Sequence, residues 1–216
     1  MSNIKIIHGD CMEAMAQMPD KAFDLAIVDP PYSQMCNLHG GHPSDGKHGW
    51  GGNWASNKHF KWNIRPPVEY FSQLQRISVN QIIWGGNYFI TDLQDTPCLI
   101  IWDKGQRDFS LADAEIAWTS FKKPVRIFSY ARSLNNRTDR IHVNQKPVPL
   151  YQWLLKNYAK PGDKILDTHG GSCSSAIACD IMGFDATIYE IDEDYYKAAV
   201  ERFEHHKQQT VLEFTA

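Results

Sequence analysis

A chain of 216 residues, 43% of them hydrophobic and with a formal charge of -3, is long enough for one substantial core and too short for two ordinary domains. No apolar stretch approaches the roughly 20 residues of a membrane helix, and Met1-Ser2-Asn3-Ile4-Lys5 runs into strand-like residues without the zones of a signal peptide. Five cysteines, an odd number without a CxxC pair, argue against a secreted disulfide scaffold, so a single cytoplasmic domain over 1–216, with reduced thiols, is expected.

In chain order, residues 4–7 form a short β-like run closed by His8-Gly9-Asp10, residues 11–18 favour a helix ending at Pro19, and residues 23–28 form a second strand. Residues 33–67 break the regularity. They are rich in Gly, His, Asn and Trp, and such a segment inside a compact domain reads as a functional loop or lid. Its histidines, His39, His42, His48 and His59, match no zinc spacing, so no metal is expected. Pro66-Pro67 opens a helix over 68–77, followed by apolar strands at 81–84 and 98–102 and an edge-type strand at 125–130.

Residues 147–158 read as a helix with Leu150, Trp153, Leu154 and Tyr158 at helical spacing, and residues 164–167 as a strand. A glycine turn, a helix over 176–182, a strand over 186–190 and a helix over 194–206 follow, leaving 211–216 as a small strand or a frayed tail. Repeated strand–helix units of this size predict an α/β sheet with helices on both faces.

Asp29-Pro30-Pro31-Tyr32 directly follows the second strand, at the carboxyl end of the sheet where open α/β proteins place ligands. The prolines fix φ and remove two backbone donors, so the turn presents carbonyls without competing N–H groups. An exocyclic amine on adenine or cytosine has two hydrogens to donate. If Asp29 accepts one and the Pro30 carbonyl the other, the nitrogen lone pair turns toward an incoming methyl group, and Tyr32 stacks on a flipped base. The chemistry is then direct transfer without a covalent enzyme intermediate, resting on positioning and preorganised charge.

A second constellation, Asp167-Thr168-His169-Gly170-Gly171-Ser172, lies between a strand and a helix. Its glycines allow a sharp turn and close ligand approach, and the helix start offers unsatisfied N–H groups. The Walker lysine and the GxGxxG spacing are both absent, so the site is nucleotide-like without a phosphate requirement. Glu190, ending the next strand, is placed to accept two ribose hydroxyls, with Ile191 packing on an adenine. His169 either lines this pocket or packs beneath it.

Charge is unevenly distributed. Lys122, Lys123, Arg126, Arg132, Arg137, Arg140 and Lys146 face a single acid, Asp139, between 122 and 146, while acids dominate from Asp185 to Glu204. Either one basic and one acidic face, or merely solvated loops and helices, fits this pattern.

Together, Asp29-Pro30-Pro31-Tyr32, then His142-Val143-Asn144-Gln145-Lys146-Pro147, then residues 167–175 stand in the order that resembles the beta-type adenine-N6 group of DNA amino-methyltransferases. The resemblance covers nearly the whole chain apart from the insert after Tyr32. It implies a Rossmann-like fold with a mostly parallel seven-stranded sheet, one strand reversed, and S-adenosyl-L-methionine as methyl donor. It also implies that Asp10, Gln145, Lys146, Asp167, Gly171 and Ser172 surround the cofactor beside Glu190 and His169 as read above, with Asp29, Pro30, Pro31 and Tyr32 at the acceptor. Where the family reads Asp-Pro-Phe, any residue, Gly-Ser-Gly, this chain has His169 for the phenylalanine and Cys173 for the last glycine.

Target recognition in the family needs a further region, for which 33–67 and 103–142 are the candidates. Within the second, Lys122, Lys123, Arg132, Arg137 and Arg140 are expected on double-stranded DNA, the arginines contacting phosphates or base edges, or else simply solvating a loop. The implied protein is a cytoplasmic modifier, monomer or homodimer, of a prokaryotic or phage-infected cell, stand-alone or partnered with a restriction enzyme. Cytosine N4 as acceptor, and a catalytically silent DNA- or cofactor-binding homologue, are the alternatives.

Overall fold

The computed structural model describes residues 2–32, 64–107, 112–131, 134, 141–142 and 144–215, with side chains through 209. Strands β1 (Ile4–His8), β2 (Phe23–Val28), β3 (Ser78–Trp84), β4 (Leu99–Asp103), β5 (Ala114–Thr119), β6 (Arg126–Ser129), β7 (Lys164–Asp167) and β8 (Asp185–Glu190) form one sheet in the order β1-β8-β7-β2-β3-β5-β4-β6. Every pairing is parallel except those of β5, which runs against both β3 and β4.

Among the described residues the sheet therefore has eight strands rather than the expected seven, and the reversed one, β5, lies inside the segment read as a recognition loop. That part of 103–142 is scaffold. β6 takes the edge position its composition suggested, pairing with β4 alone.

Helices α1 (Cys11–Gln17), α2 (Val68–Ile77), α3 (Val148–Tyr158), α4 (Ser174–Met182) and α5 (Glu193–Thr215) cover the sheet. Alternation along β2 shows why its run is continuously apolar. Leu25 and Ile27 join one core with Leu150, Leu154, Ala176 and Phe203, while Ala26 and Val28 join a second core with Met15, Tyr70, Phe71 and Leu74. Burying both faces removes each of these side chains from water, worth about 1.5–3 kcal/mol apiece for the larger ones. The last helix continues to Thr215, so the expectation of a small strand or frayed tail over 211–216 is replaced by helix as far as Thr215.

Local signals end these elements in identifiable ways. The Asp10 carboxylate accepts the Met12 N–H at 2.7 Å and starts α1. Gly183, at φ +74°, ends α4 by donating its N–H to carbonyls of the last turn. No described helix is long and apolar enough to cross a membrane. Cys11, Cys98, Cys173 and Cys179 are free thiols; Cys36 and the loop histidines lie outside the described residues.

Candidate active site

Strand order places the site. β2 and β7 are neighbours, and from them the chain winds outward in opposite directions, toward β3 on one side and toward β8 and β1 on the other. The crevice beyond their carboxyl ends is where such sheets bind ligands. A cavity of about 570 Å³ opens there. It is lined on the acceptor side by Asp29, Pro30, Pro31, Tyr32 and Lys146, and on the other by Asp10, Gln145, His169, Gly171, Ser172 and Glu190. Two motifs more than a hundred residues apart thus line one cavity.

Asp167 is the exception. It stays behind the wall, where its carboxylate accepts the His169 N–H at 3.0 Å and the Ser175 hydroxyl at 2.6 Å and so holds the glycine turn. Burial pushes its carboxyl up to about 7, against the lowering effect of those two bonds. Gly170 packs so closely against β8 that a β-carbon would stand 2.5 Å from Cγ2 of Ile188, and Cys173 occupies the left-handed region at φ +53°. That conformation explains why a glycine suits the last position of the related motif.

Glu190, almost fully buried, accepts the Gly171 N–H at 2.6 Å and the Asp192 N–H at 2.9 Å. A carboxylate has about four acceptor positions, so acceptor capacity remains for a ligand. Burial raises its carboxyl, opposed by the backbone donors. Ile191, half exposed, stands beside it on the cavity wall. His169 is held by a chain in which the Tyr70 hydroxyl and Thr168 Oγ1 lie 2.6 Å apart and Thr168 Oγ1 and His169 Nδ1 2.9 Å apart. Burial brings its imidazole down to about 4, so it is neutral near pH 7.

At the acceptor end, the Lys146 ammonium bonds Oδ2 of Asp29, lies 3.1 Å from Oε2 of Glu115, and sits 5.2 Å from the Trp84 ring centroid. The motif order implies Lys146 beside the cofactor; Lys146 lines the cavity, and its charged end turns to the Asp29 carboxylate. Burial lowers a lone ammonium, but Asp29 and Glu115 outweigh it and hold Lys146 well above its ordinary range. Asp29 is raised by burial and, to a lesser degree, by Glu115, with Lys146 pulling the other way. Its Oδ1 is buried and has no hydrogen-bond partner among the described residues.

Tyr32 stacks on Tyr88 at 4.3 Å between centroids and 11° between planes, with the Phe89 ring edge-on at 6.4 Å. Its position is therefore set by the turn after β3, which the sequence did not connect to the site. Glu115, Lys104, Tyr88 and Tyr70 are further unforeseen members, because no local pattern joins them to either motif. His142 carried a signal, standing just before Gln145-Lys146; its ring lies against Gly171 and 4.4 Å from Tyr195.

Lys122 and Lys123 are not brought to the cavity. They follow the end of β5, which runs away from the crevice because β5 is reversed, and Lys123 donates to the Asn157 carbonyl at 2.9 Å. Arg132, Arg137 and Arg140, like most of 33–67, lie outside the described residues.

Comparison with known proteins places this geometry. The DNA methylase model for N6 and N4 enzymes matches residues 71–201. YubD of Escherichia coli (strain K12), named as a methylase, is 23% identical over 218 residues, covering 92% of this chain and 89% of that protein. The M1.HpyAVI–SAM complex superposes with TM-score 0.58 at 17% identity, over 93% of this chain and 98% of that one. The cytosine-N4-specific PvuII DNA methyltransferase gives 0.62 at 13% identity, over 94% and 87%. TTHA0409 of Thermus thermophilus, complexed with S-adenosyl-L-methionine, gives 0.57 at 15%, over 95% and 94%. At these identities the solved structures establish a common fold.

Proposed function

The chain belongs to the DNA methylase family of N6 and N4 enzymes, and on that premise we propose that it transfers a methyl group from S-adenosyl-L-methionine to the N6 amine of an adenine flipped out of double-stranded DNA. The observation that carries the proposal is Asp29, which lines a cavity large enough for a nucleoside and whose buried Oδ1 is an acceptor without a partner among the described residues.

The residues present fit the methyl donor. Asp10 and Glu190 line the cavity, and the cations on its wall are already engaged, Lys146 by Asp29 and Glu115 and Arg65 by Asp92. An acid-lined cleft repels phosphates and suits a phosphate-free, cationic nucleoside. Glu190 would accept the ribose hydroxyls on its remaining lone pairs and Ile191 would cover a face of the adenine. When bound, S-adenosyl-L-methionine supplies an electrophilic methyl on a positively charged sulfur.

The chain's own residues act on the acceptor. Asp29 Oδ1 accepts one hydrogen of the base amine and the Pro30 carbonyl accepts the other, which aims the nitrogen lone pair across the cavity. Tyr32, itself backed by Tyr88, holds the plane of the base. As the amine becomes cationic, the carboxylate of Asp29 stabilises the developing charge and takes up the proton that leaves. Neutral His169 adds no positive charge beside the donor.

Adenine is preferred because Asp29-Pro30-Pro31-Tyr32 resembles the acceptor motif of the beta-type N6 group. Cytosine N4 makes the same hydrogen-bonding demands and belongs to the same family description. Mass analysis of nucleosides from unmethylated DNA incubated with protein and cofactor tests the choice. N6-methyladenine is expected, and N4-methylcytosine alone would reject it. Such a substrate fits a modifier in the cytoplasm of a prokaryotic or phage-infected cell.

A further inference from the structure

Four charged side chains alternate in sign from the acceptor into the sheet: Asp29, Lys146, Glu115 and Lys104. Their arrangement follows from the one reversed strand. Glu115 is at the start of β5 and pairs in register with Trp102 near the end of β4, so β5 delivers a side chain from its beginning to the edge where its neighbours deliver theirs from their ends. The Lys104 ammonium binds Oε1 of Glu115 at 2.7 Å, leaving Oε2 for Lys146 at 3.1 Å.

We propose that Glu115 is a positioning residue for methyl transfer: by sharing the Lys146 ammonium it holds that charge on Oδ2 of Asp29 and leaves Oδ1 as the oxygen presented to the acceptor amine. An ammonium attracted by Asp29 alone would settle between both carboxylate oxygens, where Coulomb attraction is greatest. Here it is fixed from three sides, by Asp29 Oδ2, by Glu115 Oε2 and by the face of Trp84. Burial alone would raise the Glu115 carboxyl, yet Lys146 and Lys104 bring it down to about 2, so the tether stays anionic throughout the working range. Tyr70, Tyr151 and Asp167 are the other described titratable groups whose charge is felt with that of Asp29, and burial keeps both phenols protonated.

This role rests on the methylase reading, and the experiment separates the two. Single-turnover transfer of tritiated methyl to unmethylated DNA is measured between pH 5 and pH 9 for the parent, Glu115→Gln, Lys146→Met and the double variant, with cofactor affinity by calorimetry. Misplacing the acceptor predicts a rate loss of order 100-fold in Glu115→Gln with cofactor affinity within about 3-fold. Lys146→Met removes the cation that favours ionised Asp29, so the acid limb of the rate profile moves to higher pH. Adding Glu115→Gln removes a like charge and brings it back down. A purely structural role lowers the plateau and moves neither limb. Should Glu115→Gln lose its fold, Lys104→Met releases Oε1 and lowers the rate in the same direction. A parental rate in Glu115→Gln, or coincident limbs in Lys146→Met and the double variant, overturns the positioning role while the parent still methylates. No transfer by the parent itself would overturn the methylase reading and this role with it.

Discussion

A β-carbon on Gly85 would stand 2.6 Å from Cδ1 of Tyr32, so the turn that follows β3 and the acceptor tyrosine are shaped to each other. Gly85 is also left-handed, at φ +70°. Gly85→Ala therefore costs about 1–2 kcal/mol in backbone strain and displaces the Tyr32 ring as well. Gly183→Ala is the matched control, with φ +74° and nothing near the added carbon. Both variants are expected to melt earlier, and only Gly85→Ala to lose kcat/KM for DNA, by about 10-fold or more. Equal activity in the two would mean that the placement of Tyr32 is irrelevant.

Much of this was legible in the sequence and some was not, for physical reasons. Apolar runs such as Leu25-Ala26-Ile27-Val28 announce strands buried on both faces, and Asp29-Pro30-Pro31-Tyr32 and the turn at Gly170-Gly171 announce their ligand edge because those residues act locally. Strand β5 escaped because Ala114-Glu115-Ile116-Ala117-Trp118-Thr119 gains its stability from pairing with β3 and β4, not from its own pattern. Glu115 was lost with it. Lys146 shows a different limit, since its motif gave the residue but not the direction of its ammonium. Only the packing of Trp84 and Glu115 around it decides that.

Asp167 gives a pH prediction. Burial sets its folded carboxyl near 7 against an ordinary 3.8, so its contribution to stability is complete below about pH 4 and is lost as pH rises toward 7. Asparagine carries no charge to bury. Urea titrations at about pH 5 and pH 7.5 should show the unfolding free energy of Asp167→Asn moving in the variant's favour, relative to the parent, by roughly 2–3 kcal/mol. A gap that stays constant across that range would mean Asp167 is ionised in the fold.

Glu190 tests the cofactor end. Replacement by alanine removes the proposed partner of two hydroxyls and leaves the Gly171 and Asp192 N–H groups without their acceptor. Calorimetry should report affinity for S-adenosyl-L-methionine lower by about 10- to 100-fold, as expected for hydrogen bonds to a charged group. Unchanged affinity would move the ribose elsewhere.

Recognition of DNA divides two sets of basic residues. Removing Arg132, Arg137 and Arg140 together should flatten the salt dependence of DNA binding, the slope falling by about 0.9 for every phosphate that is no longer neutralised. Removing Lys122 and Lys123, which follow the end of β5 away from the crevice, should leave it unchanged. The reverse result would put the duplex on the other edge of the sheet.

Asp29→Ala most directly tests the claim that a buried carboxylate oxygen presents the base amine to the methyl donor. Tritium transfer to DNA and cofactor affinity should be measured on the same preparation. Transfer is expected to fall by about 100- to 1000-fold, with affinity for S-adenosyl-L-methionine within a few-fold of the parent. Near-parental transfer in that variant would contradict the account.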